Sequence, residues 1–405
     1  MGGRRGRMSG LPELVLFGIN WVSFGIDFIT FYALYLAISL GLNLEFGYTG
    51  IPNFGKVLFI AGGAAFGGSI AGRLAAYILN VGAGEDFITF NAKIITQVNS
   101  ELVNDPTLAV ELVVVSLVVA ALVGGLLGFL ASYPALRLRE DYLGMLLLGC
   151  AQFFQVVLRV YPPLIGGSQP IFVPDPFSYF SSLGTGYRDL AAMVIMVIFA
   201  IGVYAFVERV VRSPMGRTLR AVRDNEDASG ALGKDNAKIR RNALIVASAL
   251  AATAGALYSF YVGSVEYDTW TRFAWTFWPF LIVIIGGAGN NSGVALGAFF
   301  FTLVFRGLQQ IQPYLPASNV FDVNSIADIL FASMLLMILF LRPEGIIREK
   351  SSYTLKKGVL GKIVKSGTTG EERKQGFASK ITSRFARRRR EGGDSTGDTQ
   401  PQPAK

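Results

Sequence analysis

Histidine is absent from this sequence of 405 residues, and cysteine occurs once. The absence of histidine excludes a Ser-His-Asp triad, a Cys-His dyad, histidine metal ligands and histidine proton relays. Cys150 cannot form an intramolecular disulfide, and its position in an apolar run favours an apolar packing role. Charged residues are scarce, at 16% of the chain, against roughly 25% in soluble domains. This composition argues against a soluble enzyme.

Apolar residues are abundant, at 52% of the chain. Several runs reach the roughly 20 residues that a helix needs to cross about 30 Å of hydrocarbon. The mostly apolar runs are residues 14–47, 57–79, 108–136, 142–160, 190–207, 243–262, 277–285, 294–308 and 326–341. They predict an all-α polytopic membrane protein with about eight or nine transmembrane segments, in a membrane-embedded domain over residues 1–341.

Glycine interrupts one of these runs. The apolar residues 277–285 are too few to span a membrane and lead into a glycine-rich stretch, Gly286–Gly293. Broken backbone at membrane depth is tolerated only against protein or a wet cavity. Elsewhere glycines recur four residues apart, a spacing that lets helices pack closely. The pairs are Gly63 and Gly67, Gly68 and Gly72, Gly124 and Gly128, and Gly293 and Gly297.

The formal charge of +9 is concentrated at one end of the chain. Residues 342–405 hold 16 Lys and Arg against 7 Asp and Glu, so the rest of the chain is neutral. The excess therefore gives no reason to expect nucleic-acid binding, and it predicts a basic, disordered cytoplasmic tail over residues 342–405. The arginines at 387–390 suit either contact with anionic membrane lipid or a free solubilising end.

Basic loops tend to stay in the cytoplasm. The loop 209–241 holds nine Lys and Arg, whereas the loop 161–187 has none and the loop 81–106 has only Lys93. We therefore place 209–241 and the C-terminus inside, and 81–106 and 161–187 outside. The first run, 14–47, fits either a hairpin that turns near Asp27 or one long helix with the N-terminus outside. Asp27, Arg73 and Arg159 are ionisable residues within apolar runs.

The loop between residues 212 and 233 has the most informative order of residues. Pro214 suits a helix start, and arginines recur three residues apart at 217, 220 and 223. Glu226 and Asp227 suit the start of a second short helix, whose dipole favours acids, and Gly233 suits its end. We predict a helix, a turn and a helix.

This loop resembles the cytoplasmic coupling loop of the permease subunits of ATP-binding-cassette importers, in particular the LivM-type branched-chain amino-acid permeases. Further motifs of that family match in order along residues 31–347. They are Gly41–Leu44 with Gly47–Gly50, Ala135–Tyr142, Gly166–Ser168, Gly286–Gly289 and Arg342–Gly345. The chain departs from the family at Asn53–Lys56, where Lys56 stands in place of a histidine, and at Ser229 and Gly230.

The resemblance implies a subunit of the plasma (inner) membrane with no catalytic residues, cofactor or metal. It implies two ATP-binding subunits, a second permease subunit in a heterodimer and an extracytoplasmic solute-binding protein as partners. We assign coupling to the ATPase to Gly216, Arg217, Arg220, Arg223, Glu226, Asp227 and Gly233. The candidate pathway residues are Asn43, Thr49, Asn53, Gly287, Gly289 and Asn290, for which hydrogen bonding between helices is the alternative role.

Other functions fit less well. Gly50–Val57 approaches the phosphate-binding P-loop, but Val57 stands where a magnesium-binding hydroxyl is needed. An ion-coupled secondary transporter is expected to place acids at mid-membrane, and Glu111 and Asp328 lie near segment ends. Within the importer class, a sugar or nucleoside permease is the main alternative, because a coupling loop reports the ATPase and not the solute.

Overall fold

The computed structural model describes residues 15–16, 19–135, 138, 140–311, 329–333, 336–337, 340 and 344–349. The chain divides into two units, residues 1–350 and 351–405, and the second lies outside the described residues. The tail prediction for 351–405 and the arginines at 387–390 therefore concern residues that are not described. Of the predicted apolar runs, most of 326–341 also lies outside them.

The first unit is built of helices, which confirms the predicted all-α polytopic class. The elements are β1 Val15–Leu16, β2 Ile19–Asn20, α1 Trp21–Leu42 with a π-helical turn Asn43–Gly47, α2 Lys56–Ile78, α3 Asn91–Leu102, α4 Pro106–Ala135, α5 Glu140–Val160, α6 Pro162–Ile165, β3 Ile171–Phe172, α7 Ser178–Ser181, α8 Thr185–Arg212, α9 Pro214–Asp224, α10 Glu226–Ala231, α11 Asn236–Val262, β4 Ser264–Val265, a 3₁₀ turn Tyr267–Thr269, a π-helical turn Phe273–Phe277, α12 Trp278–Gly286 and α13 Asn291–Ile311.

Seven helices in the described residues are long and apolar enough to cross a membrane. They are Trp21–Gly47, Lys56–Ile78, Pro106–Pro134, Tyr142–Val160, Gly186–Arg212, Asn236–Val262 and Asn291–Gln310. A shorter apolar helix, Phe273–Gly286, lies between the last two. It occupies the position where the sequence predicts a segment interrupted by glycine.

The first apolar run forms one long helix, so the hairpin alternative is wrong. Asn20 caps α1, and its side chain accepts hydrogen bonds from the backbone N–H of Val22 and Ser23 at 3.1 and 3.3 Å. Asp27 lies inside the helix instead of at a turn, and its carboxylate is 3.4 Å from Arg306 Nε on α13. The ionic contact between two helices gives this acid a basic partner within the membrane-spanning run.

Close helix packing occurs where the glycine pairs predict it. A methyl group at Gly63 or Gly67 of α2 would collide with Ala252 or Ala256 of α11. Gly124 and Gly128 of α4 approach the same helix in the same way. Helix α11 therefore packs closely against both α2 and α4, and its small residues form the centre of the bundle.

The bundle has two distinct ends. One end, here called the basic end, carries residues 213–235 and the turn after α1, because Arg223 lies against the Gly47 carbonyl. The opposite end carries α3 and the segment 161–184, which bind each other: Phe172 N–H donates to Asn91 Oδ1 at 2.6 Å and Asp175 N–H to Asn99 Oδ1 at 2.8 Å. Residues 344–349, placed in the tail by the predicted boundary at 341, return to the basic end, where Ile346 N–H donates to the Ile285 carbonyl at 2.9 Å.

Candidate functional site

The loop at the basic end folds as a helix, a turn and a helix. Ser213 caps α9 through a hydrogen bond from Met215 N–H to its hydroxyl at 3.2 Å, and Pro214 follows at the first helical position. Asn225 ends α9 and caps α10, accepting from Ala228 N–H at 2.9 Å. Gly233 follows α10 with a φ of +78°, a conformation that suits glycine. The capping chemistry thus agrees with the predicted pattern.

Helix α9 presents one apolar side to the bundle. Gly216, Leu219 and Val222 are buried there, and a methyl group at Gly216 would collide with the Val211 backbone. Residues three apart in an α-helix fall about 60° short of a full turn. Arg217 and Arg223 therefore point about 120° apart: Arg217 is exposed, whereas Arg220 and Arg223 turn inward.

Arg223 joins α9 to two other segments. Its Nη1 donates to the Gly47 carbonyl at 2.5 Å, and its Nη2 to Glu349 Oε2 at 2.9 Å. Arg220 Nε lies 3.2 Å from Glu349 Oε1, and its guanidinium lies 5.2 Å from the centre of the Tyr48 ring. We call this group, Arg220, Arg223, Glu349 and the Gly47 carbonyl, the Arg223 junction. It connects α9 to the end of α1 and to the segment that follows the last apolar run.

Two ionisable groups at the junction are shifted by their surroundings. Burial raises the pKa of Tyr48 to about 12, so its hydroxyl stays protonated at neutral pH. Burial also disfavours the charge on Arg223, but the hydrogen bond and ion pair with Glu349 outweigh it and raise the pKa of Arg223. Arg223 is therefore a fixed positive charge at this position.

The acids of α10 differ in their contacts. Glu226 is bound within the loop, because Arg240 Nη1 lies 3.0 Å from its carboxylate and Asn236 Nδ2 donates to its carbonyl at 2.7 Å. Asp227 is exposed in the first turn of the same helix. With Arg217, it forms the outward surface of the loop, available to a partner. Beneath α9, an apolar cleft of about 310 Å³ lies between the helix and α8 and α11, lined by residues that include Val210, Leu219 and Val246.

The helix break lies beside the junction. α12 ends at Gly286 and α13 begins at Asn291, with Gly287 and Gly289 at φ values of +109° and +78°. Asn43, from the π-helical turn after α1, spans this break: its Oδ1 accepts from Gly289 N–H at 2.9 Å, and its Nδ2 donates to Asn291 Oδ1 at 2.9 Å. One backbone donor of the glycine break, Gly289 N–H, is thus satisfied by a side chain from the turn after α1.

The other candidate pathway residues also bond within the chain. Thr49 donates to the Leu44 carbonyl at 2.8 Å, and Asn290 caps α13 while donating to the Arg348 carbonyl at 2.9 Å. Asn53 donates to Glu45 at 3.1 Å and accepts from Gly55 N–H at 3.1 Å. In this conformation the candidates act as hydrogen-bonding groups between segments, and lining of a pathway stays a prediction for them.

The residues that follow α1 also form a buried ion pair, which the sequence did not predict. Lys56 Nζ lies 2.9 Å from Glu45 Oε2, both side chains have 0% exposure, and Nζ also donates to the Ala247 carbonyl at 3.1 Å. We call Glu45 and Lys56 the buried pair. The signal was available, since Lys56 replaces the family's histidine and Glu45 is the only acid nearby in the first two apolar runs after Asp27. Nothing in the spacing of 11 residues indicated that the chain reverses between them.

The fold and the loop define a class of protein: a polytopic helical membrane protein with a broken helix joined to an exposed loop helix. Comparison with known proteins gives the family. The sequence profile described as "Branched-chain amino acid transport system / permease component" matches residues 25–339. The chain belongs to this family, which confirms the resemblance to LivM-type permeases.

The names of two relatives agree with this family. The chain is 36% identical over 334 residues to the probable branched-chain amino acid transport permease protein LivM of Methanocaldococcus jannaschii, covering 81% of this chain and 95% of that protein. It is 26% identical over 363 residues to the high-affinity branched-chain amino acid transport system permease protein LivM of Escherichia coli K12, covering 83% and 74%. No solved structure matches the chain.

Proposed function

We propose that this chain is a membrane subunit of an ATP-binding-cassette importer and passes branched-chain or similar apolar amino acids across the plasma membrane. The Arg223 junction carries the proposal, because it binds an exposed loop helix directly to the end of α1 and, through residues 344–349, to the broken helix. Family membership and the names of the relatives support the solute class.

The charge distribution supports an orientation. The basic end holds the loop 209–241 with its nine Lys and Arg, whereas the opposite end holds Lys93 alone in residues 81–106 and no basic residue in 161–187. By the positive-inside rule the basic end is cytoplasmic. Asn20 and the start of α1 then lie outside, and residues 344–349 lie inside.

In this orientation α9 and α10 serve as the coupling element. One of the two ATP-binding subunits would contact the outward surface formed by Arg217, Asp227 and the exposed part of Glu226. Closure of their nucleotide sites would press on α9, and the Arg223 junction would transmit that displacement to α1 and the helix break. The cleft of about 310 Å³ beneath α9 gives the helix room to move. The membrane helices would then alternate between outward and inward openings.

The opposite end would receive the solute from an extracytoplasmic binding protein, and a second permease subunit would complete the membrane assembly. ATP hydrolysis belongs to the partners in this scheme. A sugar or nucleoside is the alternative solute, since neither the loop nor the junction contacts it. Uptake assays with leucine, ribose and adenosine in competition separate these cases.

The test exchanges the sign of charge on the outward surface. We expect Asp227→Lys to abolish uptake of radiolabelled leucine by cells that express the complete importer, with normal amounts of the subunit in the membrane. Asp227 is sharper than Glu226, because Glu226→Lys also breaks the contact with Arg240. Glu101→Lys, an exposed site at the opposite end, is the matched control for the amount of subunit in the membrane. Wild-type uptake in Asp227→Lys and Glu226→Lys would rule out the coupling surface.

A second measurement addresses the energy source. The subunit reconstituted without ATPase partners should accumulate no leucine under a proton or sodium gradient. Accumulation in that preparation would replace the importer with an ion-coupled carrier.

A further inference from the structure

One side of α5 differs in chemistry from the outward side of α4. The outward side of α4 carries aliphatic residues such as Val114, Val118, Leu122 and Leu126, as expected of a surface in lipid. α5 carries Gln152, Gln155 and Arg159, spaced by three and four residues and therefore on one side of the helix. Amide and guanidinium groups are costly in hydrocarbon and usually mark contact with protein or water.

These three side chains lie along the segment that leads into the broken helix. Gln155 Nε2 donates to the Tyr267 carbonyl at 3.4 Å, and Gln152 Nε2 donates to Gln155 Oε1 at 3.3 Å. The Arg159 guanidinium lies 5.6 Å from the centre of the Tyr267 ring. We call Gln152, Gln155 and Arg159, with residues 267–277, the α5 edge. Gln152 lies near the middle of the 21-residue helix and Arg159 near the opposite end, so the polar groups descend from that end to mid-membrane.

The other side of the α5 edge offers apolar surface and irregular backbone. Phe273 and Phe277 are 48% and 41% exposed, and they border a π-helical turn that follows a non-helical stretch. Non-helical backbone at membrane depth does not face lipid. At Gly149, one turn below Gln152, a methyl group would meet nothing within 4 Å. The surface is therefore open, polar on one side and aromatic on the other.

We propose that the α5 edge is a wall of the solute pathway and binds a zwitterionic amino acid with an apolar side chain. Arg159 attracts the carboxylate at the opposite end, the amides of Gln152 and Gln155 exchange hydrogen bonds with the charged groups at mid-membrane, and Phe273 and Phe277 contact the side chain. This inference rests on the proposed function. It assigns solute contact to Arg159, which is exposed, and to Gln152 and Gln155, which are half-buried. Asn43, Thr49 and Asn53, by contrast, are fully buried.

The single cysteine makes a direct test possible. In a Cys150→Ser background, Gln152→Cys and Gln155→Cys are introduced one at a time into the complete importer in membrane vesicles. The matched control is Leu126→Cys, 59% exposed on the aliphatic side of α4. We expect a water-soluble, positively charged methanethiosulfonate reagent to modify the two α5 sites, and saturating leucine to slow that reaction several-fold. Leu126→Cys should stay unmodified.

Uptake kinetics give a second readout. Gln152→Leu and Arg159→Met should raise the KM for leucine uptake several-fold, and Gln152→Asn should restore most of the affinity. Cysteines at 152 and 155 as unreactive as Leu126→Cys, or reactive without protection by leucine, would overturn this inference in an importer that still takes up leucine. An unsubstituted complex that takes up no leucine would instead reject the proposed function and the ligand with it.

Discussion

Two ionic contacts hold the residues that follow α1, and they differ in their surroundings. The buried pair has no exposed surface, and a backbone carbonyl completes the contacts of its ammonium group. At the Arg223 junction the side chains of Arg220, Arg223 and Glu349 keep 19%, 25% and 27% of their surface. An ion pair between basic and acidic side chains thus occurs once fully shielded from water and once partly exposed to it.

Because of this difference, we expect the buried pair to be a fixed contact and the Arg223 junction to be a contact that can move. Removal of one member of a buried pair leaves an uncompensated charge and costs about 3–5 kcal/mol. Partly exposed pairs contribute about 0–1 kcal/mol, since water and salt replace the partner. The buried pair therefore holds the turn between α1 and α2 in place, and the Arg223 junction can break and reform as α9 moves. Substitutions in and beside these two contacts test the difference between them.

The largest effect is expected at the buried pair. Lys56→Met leaves the Glu45 charge in the protein interior, and we expect it to lower the free energy of unfolding by about 3–5 kcal/mol. Adding Glu45→Gln removes that charge and should recover most of the loss. Thermal unfolding of the purified subunit in detergent measures both. Equal stability of the single and double variants would show that the pair is not a fixed contact.

Asn43, in the π-helical turn after α1, gives the next largest effect. Asn43→Ala removes the acceptor of Gly289 N–H and the partner of Asn291, so a buried donor is left unsatisfied at a cost of about 1–3 kcal/mol. The KM for leucine uptake should stay unchanged in the folded fraction. A large rise in KM with normal stability would instead return Asn43 to the solute pathway.

The sequence predicted the helices and their contacts better than it predicted the turn between α1 and α2. Apolar length identified the segments, glycine spacing identified the close contacts of α2 and α4 with α11, and caps at Ser213 and Asn225 follow from local hydrogen bonding. These signals are local. The pairing of Glu45 with Lys56, and of Arg223 with Gly47 and Glu349, depends on how the chain returns on itself, which local patterns do not encode.

The site residues divide in the same way. The position of Arg217 on the outward surface and the start of α10 at Glu226 follow from helix geometry. The inward orientation of Arg220 and Arg223 does not, because residues three apart wind around a helix and their spacing does not say which of them faces the bundle. The polar residues of α5 share one side at spacings of three and four, so the α5 edge could have been found in the sequence.

At the Arg223 junction we expect loss of coupling with little loss of stability. Arg223→Ala breaks the contact with the Gly47 carbonyl and should reduce leucine uptake about tenfold or more, equivalent to about 1.4 kcal/mol of coupling, while thermal stability changes by about 1 kcal/mol or less. The comparison is with Arg220→Ala, which keeps the bond to Gly47. Equal uptake in the two variants would mean that the bond from Arg223 to Gly47 does not transmit the movement of α9.

The smallest effect is expected at Glu349. Its substitution tests whether the Arg223 junction is exposed to water. Glu349→Gln removes the charge and keeps one acceptor oxygen, so either Arg220 or Arg223 loses its acceptor. Since exposed charges are screened within about 8–10 Å at physiological ionic strength, stability should fall by about 0–1 kcal/mol, and the difference from the unsubstituted protein should shrink as salt is raised. Unfolding midpoints at low and high salt measure this. A loss as large as that of Lys56→Met, and independent of salt, would mean that the junction is as dry as the buried pair, and α9 would then be too firmly held to serve as the moving part.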